Sequence, residues 1–196
     1  MVESSPNAVV LAGPNGAGKS TSAPSILRGA LGIDEFVNAD IIARGLSGFA
    51  PERAAMAAGR IMLARLRELA RQRTSFAFET TLASRSFAPW LADLIRDGYQ
   101  FHLIFLRLPG PEMAVARVAA RVRDGGHDVP EGTIRRRFEA GLSHFFGLYQ
   151  PMATTWGFWD NSTESGLTPI ASGAGQATLR VSDQALWERI KAGYDQ

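Results

Sequence analysis

The segment that most constrains this chain is Gly13-Pro14-Asn15-Gly16-Ala17-Gly18-Lys19-Ser20-Thr21, a glycine followed by four residues and then Gly-Lys-Ser. It fits the phosphate-binding loop pattern and has the flanks that pattern needs. Ala8-Val9-Val10-Leu11-Ala12 reads as a buried strand before it, and Thr21 to Leu31 continues as a helix after it. Glycines let successive backbone N–H groups turn inward on a phosphate, and the helix N-terminus adds its positive dipole end. In this pattern Lys19 reaches the β- and γ-phosphates and Ser20 is the candidate ligand for Mg²⁺. The residues from Gly13 to Thr21 are therefore assigned to ATP or GTP. A chance glycine-rich turn is the competing reading, and the strand and helix on either side weigh against it.

The 196 residues suit one domain, with an apolar fraction of 45% and a charged fraction of 20%, both ordinary for a globular chain. Cysteine is absent, which excludes disulfides and thiolate metal sites. No apolar stretch is long enough to cross a membrane, and no basic segment leads into an apolar one at the start. The expectation is a cytoplasmic protein without a membrane partner. Net charge is only +2, so nucleic acid is an unlikely partner on composition. Arginine outnumbers lysine 19 to 2, the lysines being Lys19 and Lys191. On the expected helices a solvated face explains the arginines; in the run Arg135-Arg136-Arg137 phosphate recognition becomes a serious alternative.

Further strands are expected at Glu35 to Ala39, ending at Asp40, at Ser75 to Glu79, at Gln100 to Leu108 and at Trp156 to Trp159. Helices are expected from Pro51 through about Arg73, with Ile61, Leu66, Leu69 and Ala70 on the buried face. Others are expected over Ser86 to Asp97, Glu112 to Arg123 and Arg135 to Tyr149. Pro169-Ile170-Ala171 and Thr178 to Val181 flank Ser172-Gly173-Ala174-Gly175, which suggests a terminal hairpin, and Ser182 or Asp183 can cap a last helix, Gln184 to Lys191. The fold class is thus α/β: a P-loop NTPase-type parallel sheet of about five strands flanked by helices, with a small lid at about 121–137 and a hairpin and helix at about 168–192. Ligands in such sheets bind beyond the carboxyl ends of the strands. That rule directs attention to the P-loop, Asp40, and Glu79-Thr80-Thr81.

The wording of the P-loop is common in transporter-type ATPases, but those need a Leu-Ser-Gly-Gly-Gln segment and a strand ending in Asp-Glu. Leu46-Ser47-Gly48-Phe49 breaks the first, and no expected strand supplies the second. The pattern instead resembles the zeta-toxin-like group of small P-loop kinases. The resemblance rests on Gly13 to Thr21, Asn38-Ala39-Asp40, Phe76 to Leu82, the stretch Arg117 to Arg137, and Asp160-Asn161-Ser162. It implies phosphoryl transfer from ATP or GTP to a hydroxyl, which in zeta toxins belongs to UDP-N-acetylglucosamine. Asp40 matches the acidic residue that acts there as the base, and Glu79 and Thr81 match the pair that holds the sugar nucleotide. After Thr81 the chain departs from the toxins, with Leu82-Ala83-Ser84 where Gly-Arg is expected and Arg85 the nearest arginine for the substrate. A toxin role would add a separate antitoxin as partner.

Each of these residues also has a plainer reading. Asp40 can cap a helix beginning at Ile41. Glu79 can be a second magnesium ligand, and Thr80 can close a turn. Arg117 to Arg137 resembles a lid whose Gly125-Gly126 hinge brings arginines onto the transferring phosphate. Arg121 and Arg123 are the catalytic candidates and Arg136 the nucleotide contact, since consecutive helical residues point about 100° apart and not all can face one site. His127 caps a turn or touches phosphate. Asp160-Asn161-Ser162 meets the base or closes its strand, and Trp156 and Trp159 read as packing. Two other function classes stay open: a nucleotide-dependent regulatory ATPase without a small acceptor, and, more weakly, a nucleic-acid end kinase.

Overall fold

The computed structural model describes residues 5–163 and 165–194. Seven strands form one sheet in the order β2-β3-β1-β4-β5-β6-β7. β1 (Asn7–Ala12), β2 (Glu35–Val37), β3 (Phe76–Thr80), β4 (Gln100–Arg107) and β5 (Thr155–Asp160) are parallel. β6 (Thr168–Ala174) and β7 (Ala177–Val181) extend them as an antiparallel pair, with β6 bonded to β5. The expected hairpin is therefore not an appendage but the far edge of the main sheet. Its first strand runs through the glycine-containing segment, and the turn lies at Gly175, where φ is +52°.

The helices are α1 (Lys19–Ala23), α2 (Ala39–Leu46), α3 (Ala55–Arg71), α4 (Phe87–Arg96), α5 (Pro111–Arg123), α6 (Glu131–His144) and α7 (Gln184–Tyr194). α1 widens into a π-helical stretch over Pro24–Ala30, with Pro24 at the junction, where it has no N–H to donate. Asp183 caps α7, its Oδ1 accepting from the Leu186 N–H at 2.9 Å.

Alternate residues of β1 point to opposite faces, as strand geometry requires. Ala8, Val10 and Ala12 join a core with α3, α4 and α7, while Val9 and Leu11 join one with α1 and α5. α3 buries Ala58, Met62, Leu66 and Leu69. Ile61, expected inside, is 44% exposed, because the buried stripe runs through Met62 one position along and leaves Ile61 about 100° off it.

Both faces of β1 are covered and its carboxyl end is open. The chain moves from β1 to β2 and β3 on one side, then to β4 on the other. Where order reverses in this way, a crevice opens beyond the strand ends.

Candidate active site

The loop between β1 and α1 lies in that crevice. Gly13 has φ +140°, and a Cβ there would come within 2.2 Å of the Leu106 carbonyl oxygen, so the loop can leave β1 only by packing directly on β4. At Gly18, with φ +77°, a Cβ would lie 2.5 Å from Asn161 Nδ2. Asn161 uses that amide to donate to the Ala17 carbonyl at 2.8 Å, tying the end of β5 to the loop.

Lys19 is 5% exposed. Its Nζ donates to the Pro14 carbonyl at 2.9 Å and stands 3.6 Å from Glu79 Oε1. Burial pushes its pKa below the ordinary lysine value, and the negative charges of Glu79 and Asp40 oppose that shift. Ser20 Oγ donates to Glu79 Oε2 at 2.7 Å. Glu79 is the penultimate residue of β3, and that strand lies beside β1 in the sheet.

Asp40 does not cap α2. That role belongs to Asn38, whose Oδ1 accepts from the N–H groups of Asp40 at 2.8 Å and Ile41 at 3.2 Å. Asp40 sits in the first helical turn, exposed, and its carboxylate accepts no hydrogen bond among the described residues. It faces the loop across a cavity of about 340 Å³ lined also by Asn15, Lys19, Ser20, Glu79, Arg117, Arg121 and His127. Three buried side-chain polar atoms lack a partner among the described residues: Asn15 Oδ1, Arg121 Nε and His127 Nδ1. All three belong to residues of this cavity. Such atoms are costly unless something polar completes them.

A second cavity of about 410 Å³ opens on the other side of Glu79, between α3 and the start of α4. Met56, Arg60, Met62, Leu63, Thr80 and Phe87 are among its walls. Glu79 is common to both cavities.

Other expected residues fall elsewhere. Thr81 lines neither cavity. β3 runs one residue further than expected, to Thr80, and the chain then turns sharply through Leu82, which has φ +57°. Thr81 consequently loses the two-residue alternation that would have kept it beside Glu79, and its Oγ1 accepts from the Ala83 N–H at 3.4 Å. Thr80 Oγ1 closes the same turn by accepting from Leu82 N–H at 3.1 Å. Arg85 is exposed in the loop before α4, outside both cavities.

In the lid, Arg121 reaches the first cavity and Arg123 does not. Two residues along a helix amount to about 200°, which turns Arg123 to solvent. Arg136 is exposed for the same reason, being two residues from buried Ile134. Arg135 is held by Glu112 at 2.9 Å and Glu131 at 2.8 Å. The lid is closed on itself by Arg121 Nη2, which donates to the His127 carbonyl at 2.8 Å.

Two residues of the site, Arg117 and Asn38, had no individual role in the sequence reading. Arg117 Nη1 donates to the Asn161 carbonyl at 2.7 Å and Nη2 to that of Ser162 at 3.1 Å, clamping the end of β5 against α5. Its place six residues after Pro111, on the loop-facing side of α5, was the available signal. Asn38 lay within the Asn38-Ala39-Asp40 motif but looked like a mere neighbour of Asp40. Asp160 turns back on the strand end, its Oδ1 accepting from Ser162 N–H at 2.6 Å, and its other oxygen pairs with Arg107.

No group of three or more His, Asp or Glu side chains with metal-ligand geometry occurs among the described residues. The Ser20 hydroxyl and Glu79 carboxylate, 2.7 Å apart at the foot of the loop, are nonetheless hard oxygen donors of the kind Mg²⁺ takes sparingly from protein, filling its remaining positions with water and phosphate oxygens. These residues fit that ion. No helix among the described residues is long and apolar enough to cross a membrane.

Comparison with known proteins bears on the family and the fold. A protein of Haemophilus influenzae (strain Rd), itself described as uncharacterized, is 30% identical over 131 residues, covering 67% of this chain and 91% of the relative. A chain of the AvrRxo1-ORF1:AvrRxo1-ORF2 complex crystallised with sulphate ions superposes with a TM-score of 0.71 at 18% identity over 96% of this chain. This chain spans 64% of that one. The same complex with ATP gives a TM-score of 0.69. The PezAT chromosomal toxin-antitoxin system of Streptococcus pneumoniae matches with a TM-score of 0.65 at 12% identity, over 100% of this chain and 87% of that one. These likenesses show a common α/β fold with a mostly parallel central sheet flanked by helices. Residues 9–144, from within β1 to the end of α6, match the family model AAA_33, described as an AAA domain, and the chain belongs to that P-loop family.

Proposed function

We propose that the protein is a kinase that moves the γ-phosphate of ATP or GTP onto a hydroxyl of a small metabolite, a UDP-activated amino sugar being the first candidate. The observation that carries this reading is the pair of cavities meeting at Glu79, one opening on the P-loop and the other away from it. A regulatory ATPase needs only the first. The unpartnered Arg121 Nε and His127 Nδ1 support a phosphate chain in that cavity, as does ATP in the AvrRxo1 complex.

In this reading the backbone of Gly13 to Thr21 cradles the phosphates, and Lys19 leaves the Pro14 carbonyl for the β- and γ-phosphates. A negative phosphate beside the buried ammonium also offsets its desolvation. Ser20, backed by Glu79, holds magnesium, which when bound neutralises charge on the phosphates. The acceptor occupies the cavity between α3 and α4, with its hydroxyl turned toward the P-loop past Glu79. Asp40, its carboxylate free, accepts the hydroxyl proton as the new O–P bond forms and the bond to the leaving nucleoside diphosphate breaks. Arg121 stabilises charge on the moving phosphoryl group, and closure of the lid excludes water. Arg117 and Asn161 border the nucleotide. Thr80 replaces Thr81 as the strand-end hydroxyl toward the acceptor. The likeness to PezAT supports looking for a separate antitoxin as partner.

The test follows the label of γ-labelled ATP in the presence of nucleotide sugars, sugars and nucleosides. The expected result is label in one class of acceptor, dependent on Mg²⁺. Label found only in free phosphate across the whole panel overturns the proposal.

A further inference from the structure

We infer that Asn38 is the positioning residue that fixes the base-bearing helix α2 against the magnesium end of the P-loop, an inference that rests on the kinase reading above. Its side chain is 4% exposed and uses both of its polar atoms. Oδ1 accepts from the N–H groups of Asp40 and Ile41, at 2.8 and 3.2 Å. Nδ2 donates to Glu79 Oε2 at 2.7 Å and lies 3.4 Å from Ser20 Oγ.

Each half of that amide has a different task. Capping α2 alone does not select asparagine, because aspartate and serine cap about equally well. Neither substitute also donates to a carboxylate: serine is too short to reach across to β3 while capping, and aspartate has no N–H. Only the amide presents an acceptor to two backbone N–H groups and a donor to Glu79 at once. A flip of the amide is excluded by the same partners, since it would set an oxygen against the carboxylate.

The consequence is mechanical. Glu79 Oε2 receives Ser20 Oγ and Asn38 Nδ2, both at 2.7 Å, so one carboxylate oxygen is fixed from the P-loop and from the start of α2. Asp40 is the second residue of α2 and moves with the cap. The spacing between Asp40 and Ser20 is thus set by a single buried side chain. Misplacement of reacting groups by about 1 Å costs on the order of 10²-fold in rate, so Asn38 controls turnover without touching substrate.

The test compares Asn38→Ser and Asn38→Asp with wild type, and adds Glu79→Gln and the double variant N38D/E79Q. Three quantities are measured: kcat with KM for the acceptor, the thermal midpoint, and the factor by which Mg²⁺ strengthens ADP binding in calorimetry. N38S keeps the cap, so its midpoint stays near wild type while kcat falls at least tenfold with KM for the acceptor little changed. N38D sets two carboxylates together and loses more. In N38D/E79Q the hydrogen bond returns with donor and acceptor exchanged, and the loss is at least fivefold smaller than the product of the single losses. The Mg²⁺ factor for ADP falls in N38S and N38D and recovers in part in the double variant.

If N38S and N38D keep kcat and the Mg²⁺ factor within twofold of wild type, or if positions 38 and 79 act independently, the inference is overturned. If wild type itself phosphorylates no acceptor, the kinase reading fails, and the Mg²⁺ factor still decides whether Asn38 positions the loop and strand ends.

Discussion

β3 and β1 lie on one side of the sheet; β3 carries Glu79 near its carboxyl end, β1 leads into the P-loop, and the polar side chains there hold one another across strand ends. Rings pack both halves, Phe76 and Phe78 of β3 against Trp90 and Phe87 of α4, and on the β5 side a larger set gathers around Trp187. Trp187 of α7 lies 5.7 Å from Trp156 and 5.4 Å from Phe158, centroid to centroid, and Phe145 packs on Phe158 at 5.0 Å. Trp187 itself is 2% exposed. The first half keeps a charged lysine in a place where burial opposes its charge; the second carries the aromatic cluster around Trp187 in the corresponding place. The two meet at Asn161 and Arg117, which fasten the end of β5 to the P-loop and to α5. The polar site and the aromatic cluster around Trp187 thus occupy different parts of one sheet over a shared core, and Asn161 and Arg117 form their seam at the strand ends.

That division can be broken from either side. Trp187→Ala empties a large volume in the half around β5 and should cost about 3–5 kcal/mol of unfolding free energy. Denaturant unfolding reads the loss, and ADP affinity measured well below the transition should stay within about twofold of wild type. A parallel collapse of affinity would join the two halves. Lys19→Met does the reverse. Loss of a preorganised charge at the phosphates should cost about 10³-fold in kcat. The thermal midpoint should hold or rise, because burial disfavours the ammonium and Glu79 keeps its bonds from Ser20 and Asn38. A clear drop in that midpoint would mean that the bonds from Lys19 to Pro14 and Glu79 stabilise the free protein. Arg117→Ala strikes the seam and should show in both readouts, more modestly. With two hydrogen bonds from a charged group lost, ADP affinity should fall roughly tenfold and stability by about 1–2 kcal/mol. An effect confined to one readout would move Arg117 wholly into one half.

The half with the P-loop was the more legible in sequence, for a physical reason. A P-loop is a local object whose glycines, lysine and hydroxyl act within nine residues, and the rule that sites gather at strand ends brings Asp40 and Glu79 to it. What escaped depends on angles and on partners far along the chain. Arg121 and Arg123 look alike until α5 turns one to the cavity and the other to solvent. Thr81 was expected beside Glu79 from the resemblance to the Glu-x-Thr pair of zeta toxins, which does not show the sharp turn after β3, where Leu82 adopts a positive φ. A cap at Asp40 was only the plainer alternative to its role as base; Asn38 takes the cap and uses its other end on Glu79, 41 residues away. The hairpin was legible as two strands, yet nothing local says that β6 bonds to β5 and makes the sheet continuous.

In the proposed kinase the P-loop side of the crevice holds nucleotide while Asp40 serves the hydroxyl. Single-turnover phosphoryl transfer by Asp40→Asn, measured beside its affinity for ADP with Mg²⁺, tests it most directly. Transfer should slow on the order of 10²-fold, with nucleotide affinity within about twofold of wild type. A transfer rate near wild type, or an affinity that falls in step with the rate, would contradict it.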